Sequence, residues 1–287
     1  MDPMRVMSFN IAGGYDDDEP GNAWTTSGRA ELACQVIEAI APDLIGLQEA
    51  EWPNFATFGR ELAEYDSFQG PHAEDTPHLY NPIYWRRGRL CPLARGGFWL
   101  SEMPERHSGS WDTAEIRAAT WVRFRHLESG REFLYVNTHL DHISEAARVG
   151  GAKLLEGWLE ANVQDGDLQL LAGDFNSNPW RPQVEPGAGA GSTFTDEIHR
   201  FFLACGFVDC FLEAGLQDGP DSNTYHGYEG AAYDLRGHHL AWRLDWILLR
   251  GAREEVKING CAVVRHHQGA LYPSDHYPLW ADLTWGN

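Results

Sequence analysis

Three short polar runs constrain this chain more than any other feature: Asn137-Thr138-His139, Gly173-Asp174-Phe175-Asn176 and Ser274-Asp275-His276. Each stands where a stretch rich in β-branched and apolar residues stops. Each therefore delivers carboxylate, amide or imidazole groups at the end of a buried segment. An unpaired charge left in such a place costs several kcal/mol. A fold that keeps these groups must turn them toward one another and toward a cation, and the chemistry such a set suggests is metal-dependent hydrolysis.

The hydrophobic periodicity supplies the frame. Segment 5–12 reads as a first strand, 28–41 as a helix with Leu32, Val36, Ile37 and Ile40 on one face, and 44–50 as a short buried strand, a β-α-β opening. Residues 53–64 read as a helix, 66–81 as irregular, and 82–87 and 95–101 as strands. Segments 119–126 and 132–140 alternate around Glu128-Ser129-Gly130, a hairpin pattern. A helix over 144–163 leads to the buried strand of 168–176. Residues 181–193 are flexible by composition. Thr195 is placed to cap a helix that ends near Cys205, and 215–241 is loop-rich. Strands at 244–251, 256–264 and 279–285 close the chain. Hairpins coexist with crossovers, so the expected fold is a mixed α/β sandwich rather than a doubly wound parallel sheet. Residues 1–287 are expected to form a single domain.

The strand ends carry the candidate chemistry. Asp174 and Asn176 share one side of their strand, because i and i+2 point the same way. They can touch a metal and a phosphoryl oxygen. Glu49 and Asn10 end two other strands. Asp275-His276 lies between Pro273 and Pro278, and Asp245 opens a late strand. An aspartate accepting from an imidazole N–H fixes its tautomer and raises its basicity, which makes Asp245–His276 a candidate dyad with His276 as general base for water. His139 stands two residues beyond Asn137, with Asp141 and His142 following. Arg117 is a candidate phosphate fork, with Asn137 and His226 as further phosphate-side candidates. Trp24, Trp111 and Trp180 sit in loops near these motifs as a candidate rim, while Trp121, Trp158, Trp246 and Trp280 fall within periodic elements and read as core. Asp16-Asp17-Asp18-Glu19 reads as a solvated loop, with a second weak cation site as the alternative, and His238-His239 as loop residues.

Charge narrows the partner. The formal net charge is −20, and the densest basic patch is Arg86-Arg87-x-Arg89. A protein that grips duplex phosphates usually carries a basic stripe, so nucleic acid is the second choice of substrate. The cysteines at 34, 91, 205, 210 and 261 are odd in number and form no C-x-x-C, which argues against a disulfide framework or a thiolate zinc site. No stretch approaches the roughly 18 to 20 apolar residues of a membrane span. The opening MDPMRVMSFN has no secretory apolar region, which makes a cytoplasmic location the default expectation. A monomer is expected.

Asn10, Gln48-Glu49, Asn137-Thr138-His139, Gly173-Asp174-Phe175-Asn176, Asp245 and Ser274-Asp275-His276, in this order, resemble the endonuclease/exonuclease/phosphatase superfamily. The resemblance runs from residue 5 to about 284. It implies the deoxyribonuclease-I-like fold, a four-layer sandwich of two mixed β-sheets flanked by helices. It implies Mg²⁺ or Mn²⁺ held chiefly by Glu49, with Asn10 and Asp275 near it. It implies that Asp174 orients the attacking water, that Asn176 and His139 hold phosphoryl oxygens, and that Asp245 and His276 form the dyad. The expected reaction is phosphoester hydrolysis by a phosphodiesterase or phosphatase, with a small or carbohydrate-linked ester favoured over nuclease activity. Asn22-Ala23-Trp24, Gly97–Glu102, Arg117-x-Ala119-Thr120-Trp121, His139–His142 and Thr224–Gly227 resemble a bacterial branch of that superfamily. Where its abasic-site nucleases commonly place a tyrosine, this chain has His139, as its sphingomyelinase-like and deadenylase-like members do. That departure weighs against abasic-DNA repair.

Two rivals remain on the residues. Thr138-His139-Leu140-Asp141-His142 resembles the latter half of the metallo-β-lactamase-like H-x-H-x-D-H motif, but Asn137 stands in the place of its first histidine. A non-catalytic binding module would have lost a ligand or a dyad residue, and every such position here keeps its chemistry.

Overall fold

Along each central strand the side chains alternate between two different cores, and that alternation builds the architecture. Met4, Val6, Leu44, Ile83 and Trp85 pack against Val122, Phe133, Tyr135, Leu170, Ala172, Ile247 and Leu249 in one apolar layer. The residues between them face the other way: Met7, Phe9, Ile45 and Leu47 onto one pair of helices, and Leu134, Val136, Leu171 and Leu248 onto another. Period-two alternation with both faces buried requires a sheet covered on both sides. The result is four layers.

The computed structural model describes residues 2–14, 17, 25–73, 79–163, 166–179, 196–219, 221–234, 243–251 and 255–286. In chain order its elements are β1 (Met4–Asn10), α1 (Thr26–Ile40), β2 (Leu44–Gln48), α2 (Trp52–Glu61), β3 (Tyr65–Phe68), β4 (Ile83–Arg86), β5 (Leu90–Trp99), β6 (Ala118–His126), β7 (Glu132–His139), α3 (Glu145–Asn162), β8 (Leu168–Asp174), α4 (Glu197–Ala204), β9 (Val208–Asp209), α5 (Cys210–Glu213), α6 (Ala231–Asp234), β10 (Asp245–Arg250), β11 (Val256–Val263) and β12 (Leu279–Trp285). One six-stranded sheet runs β11-β12-β1-β2-β4-β3 and the other β5-β6-β7-β8-β10-β9. Each contains one parallel pair, β1 with β2 and β7 with β8, among antiparallel neighbours. Each parallel pair is joined by a helix, α1 or α3, as a parallel connection requires. Thr25 caps α1 by accepting from the Gly28 N–H, and Ser144 caps α3 by accepting from the Ala147 N–H, the usual service of a side-chain oxygen at a helix start. No helix among the described residues is long and apolar enough to cross a membrane.

The expected mixed sandwich is the observed fold, with local corrections. The stretch 66–81, expected to be irregular, contains most of β3, which pairs with β4 at a sheet edge. Four residues with only two apolar ones give no readable period. β5 begins five residues before the expected strand. Its early half contains Pro92 and a register shift between Pro92 and Ala94, which an edge strand tolerates. The loop-rich 215–241 holds the single turn of α6. Trp24, Asp16, Asp18, Glu19, Trp180, the 181–193 stretch, Thr195 and His238-His239 lie outside the described residues.

Candidate active site

The inner faces of the central strands change character along their length. Val6, Ser8 and Asn10 follow one another on β1; Tyr135, Asn137 and His139 on β7; Leu170, Ala172 and Asp174 on β8. Apolar side chains fill one end, small and amide groups the middle, and ionisable groups the far end. In the middle the two sheets approach closely. A Cβ at Gly46 would stand 2.4 Å from the Tyr135 hydroxyl and 2.7 Å from Asn137 Oδ1. Gln48 donates to Asn137 Oδ1 at 2.7 Å, and Asn137 Nδ2 donates to the carbonyls of Leu47 and Pro82 at 2.7 and 2.9 Å. The Asn137 amide is thus engaged in tying the sheets together. Its hydrogen bonds run between the sheets and not into the site, so the expected phosphate contact of Asn137 is not made.

At the far end the two sheets meet through hydrogen bonds. The ladders set His139 beside Asp174 on one side and Asp245 beside it on the other. Gly173 makes the first pairing tight, with φ at 151°, and a Cβ there would fall 1.9 Å from the Thr138 carbonyl oxygen. From the opposite sheet, Asn10 Nδ2 donates to Asp174 Oδ2 at 3.0 Å and to Glu49 Oε1 at 3.1 Å. Its Oδ1 accepts from the Ala12 N–H. Asn10 therefore holds two carboxylates side by side with its amide nitrogen, while its oxygen serves the backbone. Ser274 donates to the Asn10 carbonyl and accepts from the His276 N–H, anchoring the segment ahead of β12. His276 Nδ1 lies 2.8 Å from Asp245 Oδ2, and its Nε2 lies 3.6 Å from Asp174 Oδ2. Glu49 (φ 58°) and Asn176 (φ 46°) both adopt the left-handed backbone region. Asparagine accepts that readily and glutamate does not, and such strain gathers where side chains must be aimed.

The electrostatics follow from burial. Desolvation raises the Asp174 carboxyl to about 7, with Asp245 adding to it, against the relief offered by His276 and the Asn10 amide. Asp275 is also raised by burial, with Glu49 contributing. Burial disfavours the His276 cation, but Asp245 and Asp174 overcome it and lift the ring to about 10. The cluster thus holds more carboxylate charge than its own donors compensate. Asp245 Oδ1 is buried without a hydrogen-bond partner. Asp174, Asp245 and His276 bring ligand atoms within 4.8 Å of one another, a set able to hold a metal.

His139 and Arg117 close the other flank. Arg117 Nη1 lies 3.0 Å from His139 Nδ1, and Asn176 Nδ2 lies 2.9 Å from His139 Nε2. A neutral imidazole offers one acceptor, so it satisfies one of these donors at a time. His139 is pushed well below its ordinary value by burial and then by Arg117. Its Nδ1 is 3.8 Å from Glu49 Oε1 and its Nε2 3.4 Å from Asp174 Oδ2. Glu49, Asp174, Asn176, Asp245, His276, His139, Asn10 and Arg117 are one connected group.

Three candidates serve the scaffold instead. Asp141 accepts from Thr113 Oγ1 and from the backbone N–H groups of Ala114, Glu115, Ile143 and Ser144, which pins a loop to the start of α3. An aspartate so occupied is a poor ligand for the binuclear centre of the metallo-β-lactamase-like rival. His226 is buried, its ring 3.9 Å from that of Tyr277, with Nδ1 accepting from the Gly230 N–H. Burial and the nearby His276 depress it to about 3. Its neighbour Tyr225 reaches the site, packing its ring edge-on against His276 at 5.1 Å. The Tyr225 hydroxyl is raised to about 12 by burial and by Asp275, Glu49 and Asp174. One residue of register decides between them, and only the isolated Tyr225–His276 bridge reveals it. Of the candidate rim residues, Trp111 lies on α3, its ring where a Cβ at Gly150 would be. Arg29, unremarkable in the sequence, donates to the carbonyls of Ile11, Ala12, Gly13 and Pro273 and pairs with Asp17. It locks the exit of β1 to the loop that carries Asp275.

Residues 7–276 match the model of the endonuclease/exonuclease/phosphatase family. The chain belongs to that family. Its chemistry is therefore phosphoester hydrolysis, and the two six-stranded sheets with flanking helices are the deoxyribonuclease-I-like fold. An endonuclease/exonuclease/phosphatase from Bacteroides vulgatus is 26% identical, with 99% of this chain and 100% of that one covered at a TM-score of 0.80. A mannosyl-6-phosphatase from Bacteroides thetaiotaomicron VPI-5482 is 22% identical, with 98% and 99% covered at 0.77. D. rerio TDP2, solved with a single-strand DNA product, is 18% identical, with 98% and 99% covered at 0.71. No curated protein matches the chain.

Proposed function

We propose that the chain, acting as one domain, is a divalent-metal-dependent hydrolase that cleaves a small or carbohydrate-linked phosphoester by in-line attack of water. The observation that carries this is the Asn10 amide bridging Glu49 and Asp174 within reach of the Asp245–His276 pair. Uncompensated, buried oxygen donors at that junction suit a hard cation. Glu49 and Asp275 would hold Mg²⁺ or Mn²⁺, with the Asn10 amide spacing the carboxylates. When bound, the ion neutralises phosphoryl charge and stabilises the departing oxygen. Asp174, buried and raised toward neutrality, orients the water and accepts its proton. His276, protonated and held by Asp245, faces the phosphoryl group as a donor. Asn176, His139 and Arg117 donate to the oxygens whose charge grows in the transition state. Tyr225 packs the His276 ring in place. The surface charge and the named activity of the Bacteroides thetaiotaomicron relative favour a small ester. The DNA-bound TDP2 relative keeps nuclease activity as the second reading.

The test sets turnover of p-nitrophenyl phosphoesters against plasmid nicking, each with an Asp174→Ala control. Activity is expected to vanish in EDTA, to return with Mg²⁺ or Mn²⁺, and to be absent from the control. Turnover untouched by chelation would end the metal-dependent reading. Nicking that outpaces small-ester turnover would move the assignment to a nuclease.

A further inference from the structure

We propose that this site is built for phosphomonoesters, and that the Arg117 guanidinium is the group that selects them over diesters. The inference rests on the hydrolase reading above and names its substrate class. Arg117 is 8% exposed. Its Nη1 and Nη2 donate to His139 Nδ1 at 3.0 Å and His142 Nδ1 at 3.2 Å. Arginine can only donate, so both imidazole nitrogens meet it as neutral lone pairs. Nε is buried without a hydrogen-bond partner. Among the described residues no carboxylate stands within ion-pair distance of this group. Two other buried arginines are treated differently: Arg29 pairs with Asp17, and Arg243 with Asp209 and Asp218. A buried cation without a counter-ion is costly. Here it sits one imidazole away from Glu49 and Asp174, on the flank where Asn176 and His139 present their donors.

The missing counter-ion is then an anion that arrives with the substrate. A phosphomonoester carries about −1.5 to −2 charge at neutral pH. A diester carries one negative charge, because its second ester bond removes an ionisable oxygen. Glu49 and Asp275 suit a hard cation, and Arg117, which meets His139 Nδ1 from 3.0 Å where Glu49 Oε1 meets it from 3.8 Å, is a second positive group beside that position. Two positive poles accommodate a dianion. A diester leaves the second pole facing an uncharged ester oxygen, so a buried charge stays uncompensated. With one N–H of each Nη committed to a histidine, three of the five N–H donors remain for phosphoryl oxygens.

Two pairs of probes test this, each differing by one ester bond. For turnover they are p-nitrophenyl phosphate and bis-p-nitrophenyl phosphate. For binding to the Mn²⁺-loaded protein, followed calorimetrically, they are methyl phosphate and dimethyl phosphate. The wild-type protein is expected to prefer the monoester by about tenfold or more in both, a difference of one charge-assisted contact. Arg117→Gln is expected to lower monoester kcat/KM by about 10²-fold, the usual cost of an oxyanion donor, and diester kcat/KM by less than about tenfold. It should also abolish the preference in binding. Arg117→Lys, which keeps charge without the fork, should fall between, and added guanidinium should restore part of the monoester rate to Arg117→Gln. A diester preference in the wild-type protein, or equal losses on both esters in Arg117→Gln, would overturn the inference and leave the hydrolase reading standing. Failure to hydrolyse either ester would overturn that reading and the inference with it.

Discussion

Two buried aspartate–histidine pairs involve β10, one through its first residue Asp245 and the other through Asp209, which pairs with Leu248, and they have opposite fates. In one, His276 Nδ1 is 2.8 Å from Asp245 Oδ2, with Asp174 beyond it. In the other, His199 Nε2 is 2.9 Å from Asp209 Oδ2. The distances are nearly the same and both pairs are buried. The second pair differs in its neighbours. Arg243 donates to Asp209 and to Asp218, so the charge is closed, and the same guanidinium helps hold Asp209 down to about 2 against its burial. Among the described residues the first pair has no arginine against its carboxylates, and Asp174 beside it rises to about 7. Arg243 and Asp245 are two residues apart, one sealing a scaffold and the other opening a site. An aspartate–histidine hydrogen bond is therefore not a mark of catalysis. Uncompensated charge around it is.

The largest effect that separates the two pairs is on turnover. Asp174→Ala is expected to lower kcat by about 10³-fold or more, as loss of a group that orients and deprotonates the nucleophile does. Asp174→Asn should lower it comparably while leaving the melting temperature unchanged or higher. A carboxyl raised by the fold costs stability once the pH exceeds its unfolded value, and the amide removes that cost. A melting temperature well below wild type at pH 8 would contradict the account of Asp174 as strained by burial.

Asp209→Ala should do the reverse. Removing one partner of a sealed pair costs about 3–5 kcal/mol, read as a lower urea midpoint, while kcat per folded molecule stays within a few-fold of wild type. A large fall in kcat with an unchanged midpoint would mean that the second pair serves the reaction.

The smallest and most diagnostic effect is in pH. His276 is raised to about 10. Its contribution to stability is complete below its unfolded value of about 6.5 and is lost as pH rises through 10. The stability advantage of wild type over Asp245→Asn should accordingly be present at pH 6 and gone above pH 10. Asp209 has the opposite sign: its contribution is present above its unfolded value of about 3.9 and disappears as pH falls through 2. Urea midpoints measured across pH for wild type, Asp245→Asn and Asp209→Asn would show two windows, one at each end of the scale. A single shared window would erase the distinction.

Most of the site was legible because strand ends are legible. Asn10, Glu49, His139, Asp174 and Asp245 each stop or start a run of apolar residues, and a sandwich sets such ends along one edge. Asn137 was misread because its amide looks the same in sequence whether it faces a substrate or another sheet. The close approach at Gly46 decided that. His226 is the residue of its loop that the sequence singles out, yet the bridge to His276 sets Tyr225 against that ring instead. Arg29 and Arg243 were silent because their partners are carbonyls and carboxylates remote in the chain. β3 was missed because an edge strand that buries little carries little pattern.

By itself the sequence determined which ionisable groups stand at the ends of buried strands, because alternation and apolar runs are local and survive without neighbours. Only the tertiary structure decided which aspartate is held ionised by an arginine and which is pushed toward neutrality by burial. Arginine counter-ions such as Arg243 against Asp209, and the lack among the described residues of an arginine against Asp174 or a carboxylate against Arg117, depend on distances between segments far apart in the chain, and the packing of one sheet on the other sets those distances.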